Sequence, residues 1–552
     1  MAIRLHSNWA YLEQEFGCSI RDRFLMAIRS LDNPKAVTPF LLENGARRHA
    51  LFLHVEKGNV EAARIPGDIA PVYYRPYFTF DPLVAAGAAW PSLADATDAV
   101  AEGERAILID PAAPLTVVGE LRQGFTVTLE DAPAPATVTM VEVACADTVR
   151  RLGRGRPEAA RAAGRLLEKS PWRDRLRPYL GAHDEVRFSS LDKAIGAAGL
   201  AGIVVSSTLN VQEIAGVPVG RKHRPLAALY IPGSGRTWVM EPGCASGGRQ
   251  FPSPKAALDQ FISGGVIGVE ADDIGLGLAH SLGLDEREWR SSDALIRQWR
   301  DESTLADLPY YIIASRTTRC AIEAAFSFVS DVLKRGARAT ELDGYAHYLR
   351  AMREFVPAVL PGLRVARTLT NFHCGSRTIF PANPAAQQLD GTINTFKIDA
   401  GCLLFDADGF LLGCSDIART IALSDEGREL YALFEDGIRR HLIPGARAGR
   451  AGGEMHAEAT DAVWSQRTRL SENSLFVDLD NPGPEYDRDV GHLLGKNNLA
   501  HLRFIHQERR LLKEGMIACC EYQWPLKGHA IAYEDTCLVT PGGGLNITSD
   551  DA

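Results

Sequence analysis

Two aspartates stand on consecutive apolar, strand-like segments in the C-terminal half of this 552-residue sequence. The segment TFKIDAGCLLF is followed by the turn sequence DADG and then by FLLGCSDIARTIAL, which places Asp399 and Asp416 on the two arms of a predicted hairpin. If Asp406 and Gly409 flank a two-residue turn, the two aspartates are directly opposite and share one face of the sheet. A bulge or a longer turn would move this register by a residue or two.

A second hairpin repeats the arrangement with glutamates. The segment GMIACCEYQWP leads into a turn and then into HAIAYEDTCLVT, so that Glu521 and Glu534 lie on its two arms. If Leu526 and His529 flank the turn, these two residues are also directly opposite. The sequence therefore predicts four carboxylates on two hairpins.

Like charges directly opposite each other destabilise a hairpin, and a carboxylate among apolar residues is costly. Either the carboxyl groups are protonated or a cation lies between them. Four converging carboxylates and one imidazole, for which His492 in RDVGHLLGKNNLAH is the candidate, suit two divalent ions bridged by carboxylates and water. The chemistry expected of such a site is metal-assisted hydrolysis.

Composition excludes several other classes of protein. The chain has 69 acidic and 60 basic residues, a net charge of −9, which argues against a nucleic-acid or membrane-surface binder. Its ten cysteines contain no CxxC pair and are too sparse for a disulfide scaffold, so we expect reduced thiols in the cytoplasm. The first residues lack an apolar signal region, and no apolar run is long enough to span a membrane.

The elements that position these residues follow a changing pattern along the chain. Strand-like runs such as ALFLHV and ATVTMVEV alternate with turns in a first unit, and SSLDKAIGAAGLAGIVVSSTLNVQEIAG begins a second unit that alternates helix and strand. Long helical segments then precede the hairpins, one of them with Thr340 as the predicted N-cap. We predict an α/β (α+β) protein with domains at 1–175, 180–290 and 295–552.

The ordered motifs IDAG, SDIART, GHLLG, GMIACCEYQW and YEDTCLV resemble those of the pita-bread metallopeptidases, the M24 group that includes aminopeptidase P, prolidase, methionine aminopeptidase and creatinase. The resemblance implies a C-terminal pita-bread catalytic domain preceded by one or two creatinase-type N-terminal α/β domains. It also implies five metal ligands in the order Asp399, Asp416, His492, Glu521 and Glu534. Manganese is the metal expected first, with cobalt, iron or zinc as alternatives, and a homodimer is expected.

The residues around the expected metals depart from the family pattern. The stretch FPANP replaces the Pro-His pair that often precedes the first ligand, and His373 is a candidate substitute for that imidazole. Arg488 stands where relatives have a histidine four residues before the ligand histidine, and His501 follows that ligand by nine residues rather than seven. Ala532 replaces the arginine expected two residues before the last glutamate. We therefore expect a retained metal centre in an altered substrate pocket.

The resemblance implies an Xaa-Pro aminopeptidase or dipeptidase in which a metal-bridged water attacks an amide carbonyl. Glu521 is the expected general base, His501 the expected oxyanion donor, and Arg488 a partner for a substrate carboxylate, with His373 as a further active-site candidate. The altered pocket leaves a second interpretation open, a non-peptide small-molecule hydrolase or lyase on the same centre. A third, a binding protein built on an inactive scaffold, is disfavoured because all five ligand types are retained.

Overall fold

The computed structural model describes residues 3–24, 39–75, 89–131, 136–184, 186–379, 382–390, 393–464, 489–496, 502–526 and 528–550. Among these residues, no helix combines the length and the apolar character that crossing a lipid bilayer would require. The described residues build four sheets, two in the N-terminal half and two in the C-terminal half.

The first unit is a six-stranded sheet with the strand order β4-β3-β2-β1-β5-β6. Its strands are β1 (Ile3–His6), β2 (Phe40–Asn44), β3 (Arg47–Leu53), β4 (Ile69–Tyr74), β5 (Ala106–Ile109) and β6 (Thr126–Leu129). Its helices are α1 (Trp9–Phe16), α2 (Ile20–Arg23), α3 (Lys57–Ala63), α4 (Leu93–Ala101) and α5 (Leu115–Leu121). Alternate residues of the central strands enter two separate apolar cores, one on each face, as the two-residue period of a strand requires.

The second unit is a seven-stranded sheet with the order β11-β7-β10-β9-β8-β12-β13. Its strands are β7 (Val138–Ala144), β8 (Gly202–Val205), β9 (Ala227–Tyr230), β10 (Arg236–Pro242), β11 (Arg249–Phe251), β12 (Ile267–Val269) and β13 (Trp289–Ser291). The helices of this region are α6 (Cys145–Leu152), α7 (Arg156–Leu166), α8 (Arg173–Leu176), α9 (Arg187–Ala197), α10 (Thr208–Ala215), α11 (Pro254–Phe261), α12 (Leu276–Ser281) and α13 (Asp293–Asp301).

Strand β7 joins the second sheet, although the sequence analysis assigns its residues to the first unit. It pairs antiparallel with β10 over seven residues, from Val138 opposite Pro242 to Ala144 opposite Arg236. This pairing joins strands almost a hundred residues apart, and it is not visible in the local sequence pattern. The domain boundaries proposed from the sequence otherwise remain predictions.

The C-terminal part places helices outside two four-stranded sheets. The strands are β14 (Arg364–Cys374), β15 (Thr395–Phe405), β16 (Leu411–Cys414), β17 (Ile417–Ala422), β18 (Gly491–Leu493), β19 (Ile517–Leu526), β20 (His529–Leu538) and β21 (Leu545–Asn546). The helices are α14 (Leu308–Arg335), α15 (Glu341–Val359), α16 (Asp425–Gly437), α17 (Ile443–Gly445) and α18 (Gly452–Trp464). The architecture is the mixed α/β class expected from the sequence.

Helix α14 is the central support of this region. Every residue from Leu308 to Thr318 is buried, so its first three turns are enclosed on all sides rather than amphipathic. Helix α15 begins at the predicted N-cap, where the Thr340 hydroxyl accepts from the Asp343 amide and the Asp343 carboxylate accepts from the Thr340 amide. Both helices pack on the sheet that carries β14, β15 and β16.

The two C-terminal sheets meet along β17 and β20. The Thr420 hydroxyl donates to the carbonyl oxygen of Ala532 at 3.0 Å and accepts from the Ala532 amide at 3.0 Å. Arg419 adds a second link, because its guanidinium donates to the carbonyl oxygen of Glu534 and to the Asp535 carboxylate. The two acidic hairpins are thereby held side by side.

A buried network of charges links the second unit to the C-terminal part. The ammonium of Lys496 lies 3.0 Å from Glu213 Oε1 and 2.8 Å from Asp307 Oδ2, and its side chain is only 4% exposed. Arg187 pairs with Glu213, and Arg156 donates to Asp307 at 2.8 Å. Because Lys496 follows the candidate ligand His492 by four residues, this network anchors the end of that segment.

The first unit also contacts the C-terminal part. The Asn383 amide donates to Asn59 Oδ1 at 2.9 Å, and the Asn383 side chain donates to the carbonyl oxygen of Arg23 at 2.9 Å. Arg377 donates to the carbonyl oxygen of Asn383 from the C-terminal side. Asn383, which lies in the stretch that replaces the family's Pro-His pair, therefore contacts the first unit.

Candidate metal centre

Three of the four acids converge in the interior of the C-terminal part. Asp399, Asp416 and Glu534 each offer a carboxylate oxygen, and these oxygens lie within 4.8 Å of one another. All three residues are buried, with relative exposures of 6%, 2% and 1%. Such a group of buried carboxylates is a hard, oxygen-rich site of the kind that divalent cations occupy.

The hairpin of β19 and β20 has the register that the sequence predicts. Leu526 pairs with His529 at the turn, and Glu521 stands directly opposite Glu534. Because side chains alternate along a strand, this pairing puts both glutamates on one face. The prediction is confirmed for this hairpin.

The register predicted for the other hairpin is wrong. Asp399 pairs with Ala418 rather than with Asp416. The turn is longer than two residues, since the Asp406 amide donates to the carbonyl oxygen of Phe410, and a bulge follows between Leu404 and Phe405. The two aspartates are therefore offset by two positions, although they remain on the same face.

Asp416 lies in the interruption between β16 and β17, and Gly401 makes room for that interruption. A Cβ atom at position 401 would lie 1.8 Å from the carbonyl oxygen of Ser415, so only glycine permits this approach. The Ser415 hydroxyl accepts from the Cys402 amide at 3.0 Å and lies 2.8 Å from the Thr318 hydroxyl. These contacts hold the segment that carries Asp416.

His492 enters the site from β18. Its Nδ1 lies 2.9 Å from the carbonyl oxygen of Leu493, and because a carbonyl can only accept, Nδ1 is the donor in this contact and Nε2 is the ring nitrogen that faces the site. That Nε2 lies 3.7 Å from Asp416 Oδ2. Gly491 before it has φ 143°, and a Cβ atom there would lie 2.2 Å from the carbonyl oxygen of Cys519. The glycine allows β18 to lie against β19 with the imidazole ready to act as a ligand.

The electrostatics of the site call for a cation. Burial raises the pKa of the Glu534 carboxyl well above its usual range, and the charges of Asp416, Glu521 and Asp399 raise it further. Glu534 Oε1 is buried and has no hydrogen-bond partner among the described residues. A divalent ion would satisfy this oxygen and cancel the repulsion, so the residues present fit the metal that the motifs imply.

Asn371 is a neighbour of the site that the sequence analysis missed. It stands opposite Asp399 on β14, and its amide nitrogen donates to Asp399 Oδ2 at 2.7 Å. A hydrogen bond of this kind fixes the orientation of a candidate ligand carboxylate. Its position could not be read from the sequence, because β14 changes register at a bulge between Arg367 and Thr370.

Cys519 is a second neighbour of the site that is not among the residues predicted from the sequence. His492, Cys519 and Glu534 form another group whose potential ligand atoms lie within 4.8 Å of one another. The sequence did carry a signal, because the adjacent cysteines 519 and 520 on one strand must point to opposite faces. Cys520 belongs to the apolar core on the other side of β19.

The remaining predicted site residues are distributed as follows. Glu521 is half-buried, and its charge acts on Glu534. His373 lies on β14, where it is fully buried and pairs with Lys397 of β15. Burial, together with the charges of Lys397 and Arg377, holds the pKa of His373 well below its usual range. His373 is therefore a neutral imidazole at neutral pH. The predicted positions Arg488 and His501 lie outside the described residues.

Comparison with known proteins places the site in a family context. Residues 313–541 match the sequence model of metallopeptidase family M24. No curated protein sequence matches the chain.

Solved structures share the fold at low sequence identity. X-prolyl aminopeptidase from Caenorhabditis elegans, described as a cytosolic enzyme with a di-nuclear active site, aligns with 99% of this chain and 86% of its own, at 12% identity and a TM-score of 0.57. Prolidase from Pyrococcus horikoshii covers 66% of this chain and 98% of its own, with 17% identity and a TM-score of 0.50. Xaa-Pro dipeptidase from Bacillus anthracis covers 66% of this chain and 97% of its own, with 18% identity and a TM-score of 0.50.

Proposed function

We propose that this chain is a dinuclear metallohydrolase of small peptides with proline in the second position, a proposal that starts from the match of residues 313–541 to metallopeptidase family M24. The proposed ligands are Asp399, Asp416, His492, Glu521 and Glu534. The observation that carries the proposal is the convergence of three buried carboxylates, those of Asp399, Asp416 and Glu534, of which Glu534 Oε1 has no hydrogen-bond partner among the described residues. Divalent ions held by these residues would lower the pKa of a bound water and so supply a nucleophile at neutral pH.

The protein's own residues have distinct proposed roles. Glu521 is the more exposed of the two paired glutamates, and it accepts the proton of the attacking water. Asn371 holds the Asp399 carboxylate in one orientation, and Leu493 fixes the tautomer of His492. His501 is proposed to stabilise the oxyanion and Arg488 to pair with a substrate carboxylate, with His373 as a further polar group.

A second candidate function is a hydrolase or lyase of a non-peptide small molecule. It is favoured by Asn383, which occupies the stretch of the family's Pro-His pair and is engaged with Asn59 of the first unit. That stretch therefore offers no imidazole to a peptide substrate. Ala532, where the family has an arginine, supports the same alternative.

The experiment compares metal content and activity in the full chain. Asp416→Ala and His492→Ala are each expected to lose bound metal, whereas Asp408→Ala is expected to keep it, because Asp408 is exposed on the same hairpin. Unchanged metal in both site variants would refute the proposed centre. Xaa-Pro dipeptides and longer Xaa-Pro peptides, assayed with manganese or cobalt, separate the two functions, since an intact centre without turnover favours the non-peptide substrate.

Manganese is proposed for the position formed by the three carboxylates, because hard oxygen ligands suit it. Homodimer formation and a cytoplasmic location stay predictions of the sequence analysis. Size-exclusion chromatography with light scattering measures the first of these, and cell fractionation measures the second.

A further inference from the structure

We propose that Cys519 is an additional metal ligand, which makes one of the two metal positions softer than the other. This inference rests on the proposed dinuclear centre and concerns how that centre selects its metals. The softer position is formed by His492, Cys519 and Glu534, and the harder one by Asp399, Asp416 and Glu534. Glu534 belongs to both groups, so it lies between the two positions.

The strand register places Cys519 on the face of the sheet that carries the site. It pairs with His492 across β18 and β19, and with Thr536 across β19 and β20. Glu521 follows it by two residues and therefore shares its face. The cysteine is thus surrounded on three sides by a candidate ligand or a neighbour of one.

The thiol lies against the Glu534 carboxyl, to which it donates a hydrogen bond, and its other contacts are long. Cys519 is fully buried, and its Sγ lies 3.7 Å from the Thr536 hydroxyl and 4.0 Å from the carbonyl oxygen of Asp416. Glu534 Oε1 is buried without a hydrogen-bond partner among the described residues, and Glu534 belongs to the same group of potential ligands as Cys519. One ion bound between the two side chains would take the place of the thiol proton and would satisfy the buried carboxylate.

Cys520 shows what a cysteine in an ordinary structural role looks like on the same strand. It is fully buried in the apolar core that contains Phe434 and Tyr522, away from the carboxylates. The two cysteines have the same burial and neighbouring positions, but only Cys519 belongs to a group of potential metal ligands among the described residues. Cys520 therefore provides the matched control.

A thiolate changes which metal the position favours. Sulfur and imidazole ligands select zinc, cobalt or ferrous iron over manganese, whereas carboxylates alone favour manganese or magnesium. When the metal binds, the thiol gives its proton to the solvent and the sulfur becomes an anionic ligand. We therefore expect a centre that holds two different metals when both kinds are supplied.

The test uses the full-length metal-free protein, loaded with cobalt under anaerobic conditions in a thiol-free reductant. Wild type and Cys520→Ser are expected to show a sulfur-to-cobalt charge-transfer band in the near ultraviolet, and Cys519→Ser and Cys519→Thr are expected to lack it. The zinc-loaded wild type is expected to show a sulfur scatterer at about 2.3 Å by X-ray absorption spectroscopy, beyond the ~2.0–2.1 Å shell of nitrogen and oxygen. This measurement needs no variant, so it decides the question even if Cys519→Ser fails to fold.

The outcomes separate this inference from the proposed function. Bound cobalt and zinc without any sulfur signature in the wild type would overturn the role of Cys519 and leave the carboxylate centre intact. The same band in wild type and Cys519→Ser would also overturn it. A failure of the wild type to bind either metal, measured by elemental analysis, would instead overturn the proposed centre and this inference with it.

Discussion

Replacement of Lys496 by methionine is expected to lower the free energy of unfolding by about 3 kcal/mol. The ammonium group lies between Glu213 and Asp307, and all three side chains are at most 4% exposed. Methionine keeps most of the volume but removes the charge. Two buried carboxylates then each retain a single arginine partner, Arg187 or Arg156.

The magnitude follows from the state of Glu213. Burial alone raises the pKa of its carboxyl, but Lys496 and Arg187 outweigh burial, and the pKa falls from 4.5 to about 2. That difference corresponds to roughly 3 kcal/mol of charge stabilisation in the folded state. Lys496 shares this effect with Arg187 and additionally pairs with Asp307. Removal of Lys496 is therefore expected to lower the free energy of unfolding by a similar amount, at the lower end of the ~3–5 kcal/mol for breaking a buried pair.

The assay is urea unfolding of full-length protein, followed by tryptophan fluorescence and circular dichroism. Lys513→Met is the matched control, because Lys513 also joins the C-terminal part to the second unit but is 56% exposed in its pair with Glu302. It is expected to cost less than about 1 kcal/mol. If Lys496→Met lowers the free energy of unfolding by no more than Lys513→Met does, the buried ammonium group does not stabilise the fold as proposed.

Three further predictions concern single contacts of the site and the network. Asn371→Ala is expected to weaken metal binding by roughly 10–100-fold, because Asp399 loses its orienting hydrogen bond, and isothermal titration with manganese measures this. Gly401→Ala is expected to give little folded protein, since the added Cβ would overlap the carbonyl oxygen of Ser415, and the soluble yield and the thermal midpoint report it. The stabilisation from the lowered pKa of Glu213 is present above pH 4.5 and is lost as pH falls toward 2. The free energy of unfolding of the wild type should therefore fall more steeply with pH in this range. An unchanged acid transition in Glu213→Gln would contradict this.

The parts of the site that lie within one hairpin were predictable from sequence. The pairing of Glu521 with Glu534 depends on a short turn and on alternation along two strands, and both are local properties. The pairing of Asp399 failed because DADG is compatible with more than one turn length. The Asp406 amide donates to the carbonyl oxygen of Phe410, and this longer turn, together with the bulge between Leu404 and Phe405, displaces the pairs behind them by two positions.

Features that depend on distant segments were not predictable from one sequence. Strand β7 pairs with β10, which lies almost a hundred residues later in the chain. The position of Asn371 depends on a bulge in β14. The network around Lys496 collects residues from five segments whose charges look like ordinary surface charges in the sequence. Only the fold brings these residues together.

The contact between Asn59 and Asn383 has a consequence for how the chain is made. The two residues are 324 positions apart, and the sheet of the first unit is complete by Leu129. During synthesis from the N-terminus, this unit can fold early, but its docking surface stays in water until the segment around Asn383 emerges. The polar character of the surface suits that interval, because asparagine side chains tolerate solvent where an apolar patch would attract other nascent chains.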